Sequence, residues 1–410
     1  MLFRSVAPFF ALGLAFPSFQ AIVGRFPEIG GGRVLRSRRP VLRRGDGAPC
    51  TPPLGSDHER ASTVSERFPW PAGSATGVGS MPGTDPAQAC RVVFGELPDL
   101  PFLPELPGRG PGADLTGRTT ALLVDMPAAT TTGGWKLADR PGKDLSRAAG
   151  YLSADLDAFE EVSQGYTGVV KIQACGPITL AATLELSRSL NPALSDPGAL
   201  ADLTASLAEG IAAHVADVRR RVPGAAVVVQ LDEPSLPAAL AGHVPTASGL
   251  NVVRATEPVT ASQLIGSVFA LARNAASLTV HCCAGNPPFQ VMADAGADAV
   301  GFDLSLLRNA DIDLVAEIAD SGLALMVGAL PTPAAQQLAG GPPLAPRQTA
   351  EAVVGMWRKT GLTAQQLARQ VVITPACGLA GVSPAAARAA LEHCREAARI
   401  APEMIEESGS

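Results

Sequence analysis

The run Leu278-Thr279-Val280-His281-Cys282-Cys283-Ala284-Gly285 is short and apolar, and it ends in a His, two Cys and a small turn. Such a run predicts a buried strand that delivers metal-ligating side chains at its C-terminal end. Side chains alternate faces along a strand, so His281 and Cys283 share one face and Cys282 takes the other. Imidazole and thiolate both suit Zn²⁺, and a His-x-Cys pair is half of a zinc site. A buried free cysteine beside a core histidine would leave the same residues in the chain.

Two later stretches have the same form. Ala299-Val300-Gly301-Phe302-Asp303 is an apolar run ending in an acid, and Val371-Val372-Ile373-Thr374-Pro375-Ala376-Cys377-Gly378 is one ending in Cys and Gly. In a parallel α/β protein the C-terminal ends of the strands share one face, and that face holds the active site. Two thiolates, one imidazole and one carboxylate make a four-ligand set.

The order His-x-Cys, a later acid and a final Cys-Gly-Leu resembles the zinc site of the cobalamin-independent methionine synthase family. The flanks are similar too: Ala297-Asp298-Ala299-Val300 before the acid, and Pro375-Ala376-Cys377-Gly378-Leu379 around the last Cys. The likeness covers the family's C-terminal catalytic barrel, from about Ala75 to Ile400, and a single-barrel form is what it leads one to expect. It implies a zinc-dependent S-methyltransferase that passes a methyl group to homocysteine to give methionine. His281, Cys283, Asp303 and Cys377 would hold the metal, with Asp303 standing where the family has Glu.

The resemblance also implies a substrate pocket. Val78-Gly79-Ser80-Met81-Pro82 is similar to the family's Gly-Ser-aromatic-Pro turn, with Met81 for the aromatic, and Ser80 would bind the homocysteine carboxylate. A hydroxyl and free N–H groups at a strand-to-helix turn form a plausible anion seat. Asp232, in Asp232-Glu233-Pro234, looks like part of the amino-acid-binding segment, and a buried carboxylate needs a cation such as the substrate ammonium. An Asp capping the next helix is the plainer reading. Glu105 is the candidate second acid, with Arg109 near it in sequence, while Glu233 is expected to point away. Cys175 follows a strand at a place where the family has no ligand.

The methyl donor is expected to be methyltetrahydrofolate or a methyl-corrinoid carrier protein. Gly328-Ala329-Leu330-Pro331-Thr332-Pro333 lacks the Asp-x-His segment that serves folate in the family. A thiol such as coenzyme M, or a non-catalytic zinc-binding barrel, are the alternatives.

These residues need a frame that gathers distant strand ends. From Trp70 onward strands and helices alternate, with eight strands expected: residues 75–80, 100–106, 168–173, 225–231, 278–281, 299–302, 323–328 and 371–374. The helices between them include Asp85 to Glu96 and Pro197 to Val222, with Asp85 and Asp196 as caps, and Ser383 to Met404. This pattern predicts an α/β fold of the (β/α)8 TIM barrel kind over residues 67–410. Gly108 to Asp144 reads as an irregular insertion over the barrel mouth.

Residues 1–66 differ in kind. An apolar run at residues 6–16 is like a signal segment but lacks a clean cleavage site. Arg36, Arg38, Arg39, Arg43 and Arg44 follow, without periodicity. The extension is expected to be disordered or mis-assigned, with the native protein beginning at Val64-Ser65-Glu66. A net charge of −6 gives no basis for a nucleic-acid partner. No membrane partner is expected. Seven irregularly spaced cysteines fit a reducing compartment, so the protein is expected in the cytoplasm.

Overall fold

The computed structural model describes residues 68–332 and 345–407. The expected N-terminal extension, with its apolar run, arginines, Cys50 and Val64 start, lies outside the described residues, as does Pro333.

Six strands form one parallel sheet in chain order: Val169–Cys175, Ala226–Asp232, Ser277–Cys282, Ala299–Asp303, Ala324–Leu330 and Val371–Pro375. Two extended segments complete the circle. Residues 75–80 bridge to the last strand at Ala75 and Ile373, residues 101–105 bridge to the first at Phe102 and Lys171, and the two meet at Ser80 and Glu105. The bonds Thr76 N to Ile373 O (3.1 Å), Met81 N to Glu105 O (2.8 Å) and Leu103 N to Lys171 O (2.9 Å) hold these seams. The expected eight staves are therefore present and closed. Pro101 and Pro104 have no N–H to give, which limits their segment to isolated bridges. Strands covered on both faces read as the continuous apolar runs seen in the sequence.

The helices begin where capping residues set them. Asp85 accepts from Ala87 N and Gln88 N to start Pro86–Glu96, and Asp196 accepts from Gly198 N and Ala199 N to start Pro197–Arg221. Ser383 Oγ accepts from Ala386 N ahead of the closing helix Pro384–Glu407. Among the described residues, no helix is long and apolar enough to cross a membrane.

The segment at residues 108–144 departs from expectation. It holds a helix, Leu115–Thr120, and a hairpin of Ala128–Thr130 with Trp135–Leu137, which pairs with Leu184–Glu185. It is fastened to the outer helices: Ser206 Oγ donates to Val124 O, and Thr130 Oγ1 donates to Asp144 Oδ2. The helix Lys143–Val162 that follows has no side-chain cap, and its buried stripe is interrupted by Asp155. Both features hide it from a pattern search.

Phe68 and Trp70 stack with centroids 5.3 Å apart and pack against Val169, Val228, Ala299 and Val372. This is an apolar floor near the N-terminal ends of the strands. Along the first three strands of the sheet, buried polar residues follow: Lys171, Gln173, Gln230, Asp232, Thr279 and His281. These polar side chains gather toward the end where a barrel works.

Candidate functional site

His281 lies opposite Asp232 on one neighbouring strand and Gly301 on the other. A Cβ on Gly301 would stand 2.7 Å from His281 Nδ1, so the glycine makes room for the ring. The imidazole is 4% exposed and its Nε2 has no hydrogen-bond partner. Burial, aided by the Lys171 charge, pulls its pKa down to about 3, so the ring is neutral, the form that ligates metals.

Cys283 follows the end of its strand at Cys282, and Cys377 follows the last strand at Pro375. Their sulfurs lie 3.8 Å apart. A proton shared with Cys283, together with the Gly378 N–H, draws Cys377 down to about 7 against the effect of burial; Cys283 is pushed up by the same sharing and by burial. Cys282 is fully buried with its thiol raised to about 12, chiefly by desolvation. The six described cysteines are all free thiols.

Asp303 ends its strand and caps its own turn: Oδ1 accepts from Ser305 N at 2.8 Å and from Ser305 Oγ at 2.7 Å. Its charge is felt at Cys377. Among the described residues no three His, Cys, Asp or Glu side chains are close enough to enclose a metal. The structure therefore brings Cys283 and Cys377 together and does not gather His281 and Asp303 with them into a shell.

The donors nevertheless fit zinc. Two thiolates about 2.3 Å from one tetrahedral ion stand roughly 3.8 Å from each other, the separation observed. An unpartnered buried imidazole nitrogen is what a missing ligand bond leaves behind.

The expected substrate residues adjoin this pair. Leu379 N donates to Ser80 O at 2.8 Å, and a Cβ on Gly378 would fall 2.0 Å from Ser80 Oγ. The turns that carry Ser80 and Cys377 thus pack against each other. Glu105, bridged to Ser80, is buried and accepts from Gln173 Nε2 at 3.1 Å. Asp232 is buried and accepts from Gln230 Nε2 at 2.7 Å. Desolvation pushes both carboxyls above their usual range.

Arg109 does not pair with Glu105. It binds Asp155, which also takes Arg118, and Arg118 Nε stands 4.0 Å from Glu105 Oε1. Glu233 points away from the barrel interior, as expected. Its carboxylate accepts from Ile178 N, Thr179 N and Thr179 Oγ1, and burial lifts its pKa to about 7.

Lys171, Gln173, Gln230 and Arg118 are polar residues of the site that the sequence reading passed over. A signal was present: Lys171 and Gln173 alternate in Val169-Val170-Lys171-Ile172-Gln173, as Gln230 and Asp232 do in their strand, which marks one face.

Comparison with known proteins gives one family match. The family described as "Cobalamin-independent synthase, Catalytic domain" matches residues 170–400, more than half of the chain. No curated protein matches. Among solved structures, the chain is similar to a B12-independent methionine synthase from Shewanella sp. W3-18-1 in complex with selenomethionine. The identity is 14%, over 62% of this chain and 67% of that one, with a TM-score of 0.41. It is also similar to the tryptophan synthase complex of Pyrococcus furiosus, at 12% identity over 82% of this chain and 98% of that one, with a TM-score of 0.34.

Proposed function

The chain belongs to the cobalamin-independent synthase catalytic-domain family, and we propose that it transfers a methyl group to the thiol of homocysteine, giving methionine. The observation that carries this reading is the Cys283–Cys377 pair, 3.8 Å apart and packed against the Ser80 turn. A thiol-activating centre and an amino-acid pocket then share one wall.

His281 Nε2, Cys283 and Cys377 would hold Zn²⁺, and Asp303 is the expected fourth donor. Bound there, zinc supplies a substrate thiol kept as thiolate near neutral pH, still nucleophilic. The rest falls to the chain. The Ser80 hydroxyl and its turn receive the α-carboxylate. Asp232 and Glu105 receive the ammonium, since a buried carboxylate calls for a cationic partner. Fixing both ends of a short substrate leaves its sulfur only one place to go, and catalysis is chiefly this positioning. A thiol without an ammonium, such as coenzyme M, would leave the two acids unmatched.

The methyl donor is methyltetrahydrofolate or a methyl-corrinoid carrier. The experiment is to supply the zinc-loaded protein with homocysteine and either methyltetrahydrofolate or methylcobalamin, and to detect methionine by mass spectrometry. Methionine from either donor supports the reading; none from both contradicts it.

A further inference from the structure

Lys171 has no exposed surface. Its Nζ donates to Val78 O and to Gln230 Oε1, each at 2.9 Å. Gln230 Nε2 donates in turn to Val78 O at 2.9 Å and to Asp232 Oδ1 at 2.7 Å. Val78 lies in the segment that ends at Ser80. One buried lysine is thus tied at once to the turn of Ser80 and, through a single glutamine, to the carboxylate of Asp232. It also lies 5.5 Å from the centre of the Phe102 ring, in the segment that carries Glu105.

A lysine placed here costs desolvation that an apolar side chain of its length would avoid. Packing alone does not explain it; charge does. Burial holds Asp232 and Glu105 above the ordinary carboxylate range, and the Lys171 ammonium opposes that in both. The acids in turn keep Lys171 charged, with burial bringing it down to about 8. Arg118, the other cation near Glu105, is already engaged by Asp155. Glu105 has Arg118 within 4.0 Å, whereas Asp232 forms no ion pair of its own among the described residues and is held by Gln230, so its carboxylate is the one left to receive a ligand's positive charge.

We infer that Lys171 is the positioning residue of the amino-acid pocket: through Gln230 it aims Asp232, through Val78 it fixes the Ser80 turn, and the pocket so built selects a thiol that carries an α-ammonium group. This rests on the homocysteine reading above. Lys171 acts through its neighbours and does not touch the substrate.

The test compares two thiols on the zinc-loaded protein: homocysteine and 4-mercaptobutyrate, which is homocysteine without its amine. Affinities are measured by calorimetry, with zinc content and Tm recorded alongside. The parent protein should prefer homocysteine by about tenfold or more. In Lys171→Met that preference should collapse toward parity, with homocysteine weakened, 4-mercaptobutyrate little changed and zinc content retained. A general loosening of the barrel would instead weaken both thiols and the metal together. If Lys171→Met keeps the full preference, or loses both thiols equally, the inference is overturned while the homocysteine reading stands. If the parent protein itself shows no preference, the pocket reading fails and takes the inference with it. Should Lys171→Met not fold, Gln230→Met cuts the same relay and leaves the lysine in place; the same collapse is expected, and an unchanged preference overturns the inference.

Discussion

The sulfurs of Cys283 and Cys377 lie 3.8 Å apart although 94 residues separate them in the chain. Barrel closure produces this contact: each residue sits just past the C-terminal end of a strand, and the strands belong to one parallel sheet. Two thiols at this spacing, with a partnerless buried imidazole nitrogen on one of the same strands, form a set of soft donors suited to zinc.

Adjacent cysteines should therefore behave differently. Cys283→Ala is expected to abolish stoichiometric zinc binding. Cys282→Ala, which trims a fully buried thiol beside it, should keep the metal and lose only stability, by about 1 kcal/mol. Metal analysis and thermal melts of the two variants separate the roles.

Gly301→Ala should weaken zinc without unfolding the barrel. Its new Cβ would meet His281 Nδ1 at 2.7 Å and displace the ring. A fall in zinc affinity on the order of 10–100-fold is expected, the size typical of disturbed ligand support. Chelator competition measures it.

Gly378→Ala should act on substrate instead. The added Cβ would lie 2.0 Å from Ser80 Oγ, so the hydroxyl must leave its place. A loss on the order of 10²-fold in kcat/KM for homocysteine is expected, as misplacement by about 1 Å can cause. Steady-state kinetics at saturating donor reports it.

His214 gives a pH signature independent of the metal. It is buried in the helix Pro197–Arg221, and desolvation lowers its pKa from 6.5 to about 3. A depressed histidine stays neutral in the folded state while the unfolded chain takes up a proton. Its contribution is present above pH 6.5 and is lost as pH falls toward 3, by about 1.4 kcal/mol per pH unit. His214→Gln should flatten the acid-side fall by that slope. Denaturant titrations between pH 4 and 7.5 give the two curves; parallel curves would refute it.

The barrel was legible because its strands are buried on both faces and read as apolar runs, and because Asp85, Asp196 and Ser383 mark helix starts by their caps. The helix Lys143–Val162 was not legible, since Gly142 supplies no cap and Asp155 interrupts its apolar stripe. The hairpin near residue 130 was hidden because its strands are short and pair partly with the distant Leu184–Glu185. In the site, Cys283 and Cys377 were readable from their places after strands. The bonds that Asp303 accepts from Ser305 were not, because which neighbour a carboxylate takes depends on local backbone geometry. The partners of Glu105 and Asp155 were equally hidden: proximity in sequence suggested Arg109 for Glu105, whereas packing of the helix Leu115–Thr120 delivers Arg118.

The most direct test of this account is the zinc content and zinc coordination of the protein under reducing conditions, with and without homocysteine. The account predicts one equivalent of zinc, lost in His281→Ala and in Cys377→Ser, and a further sulfur in the coordination shell when homocysteine is added. Absence of stoichiometric zinc, or a zinc shell that homocysteine leaves unchanged, would contradict it.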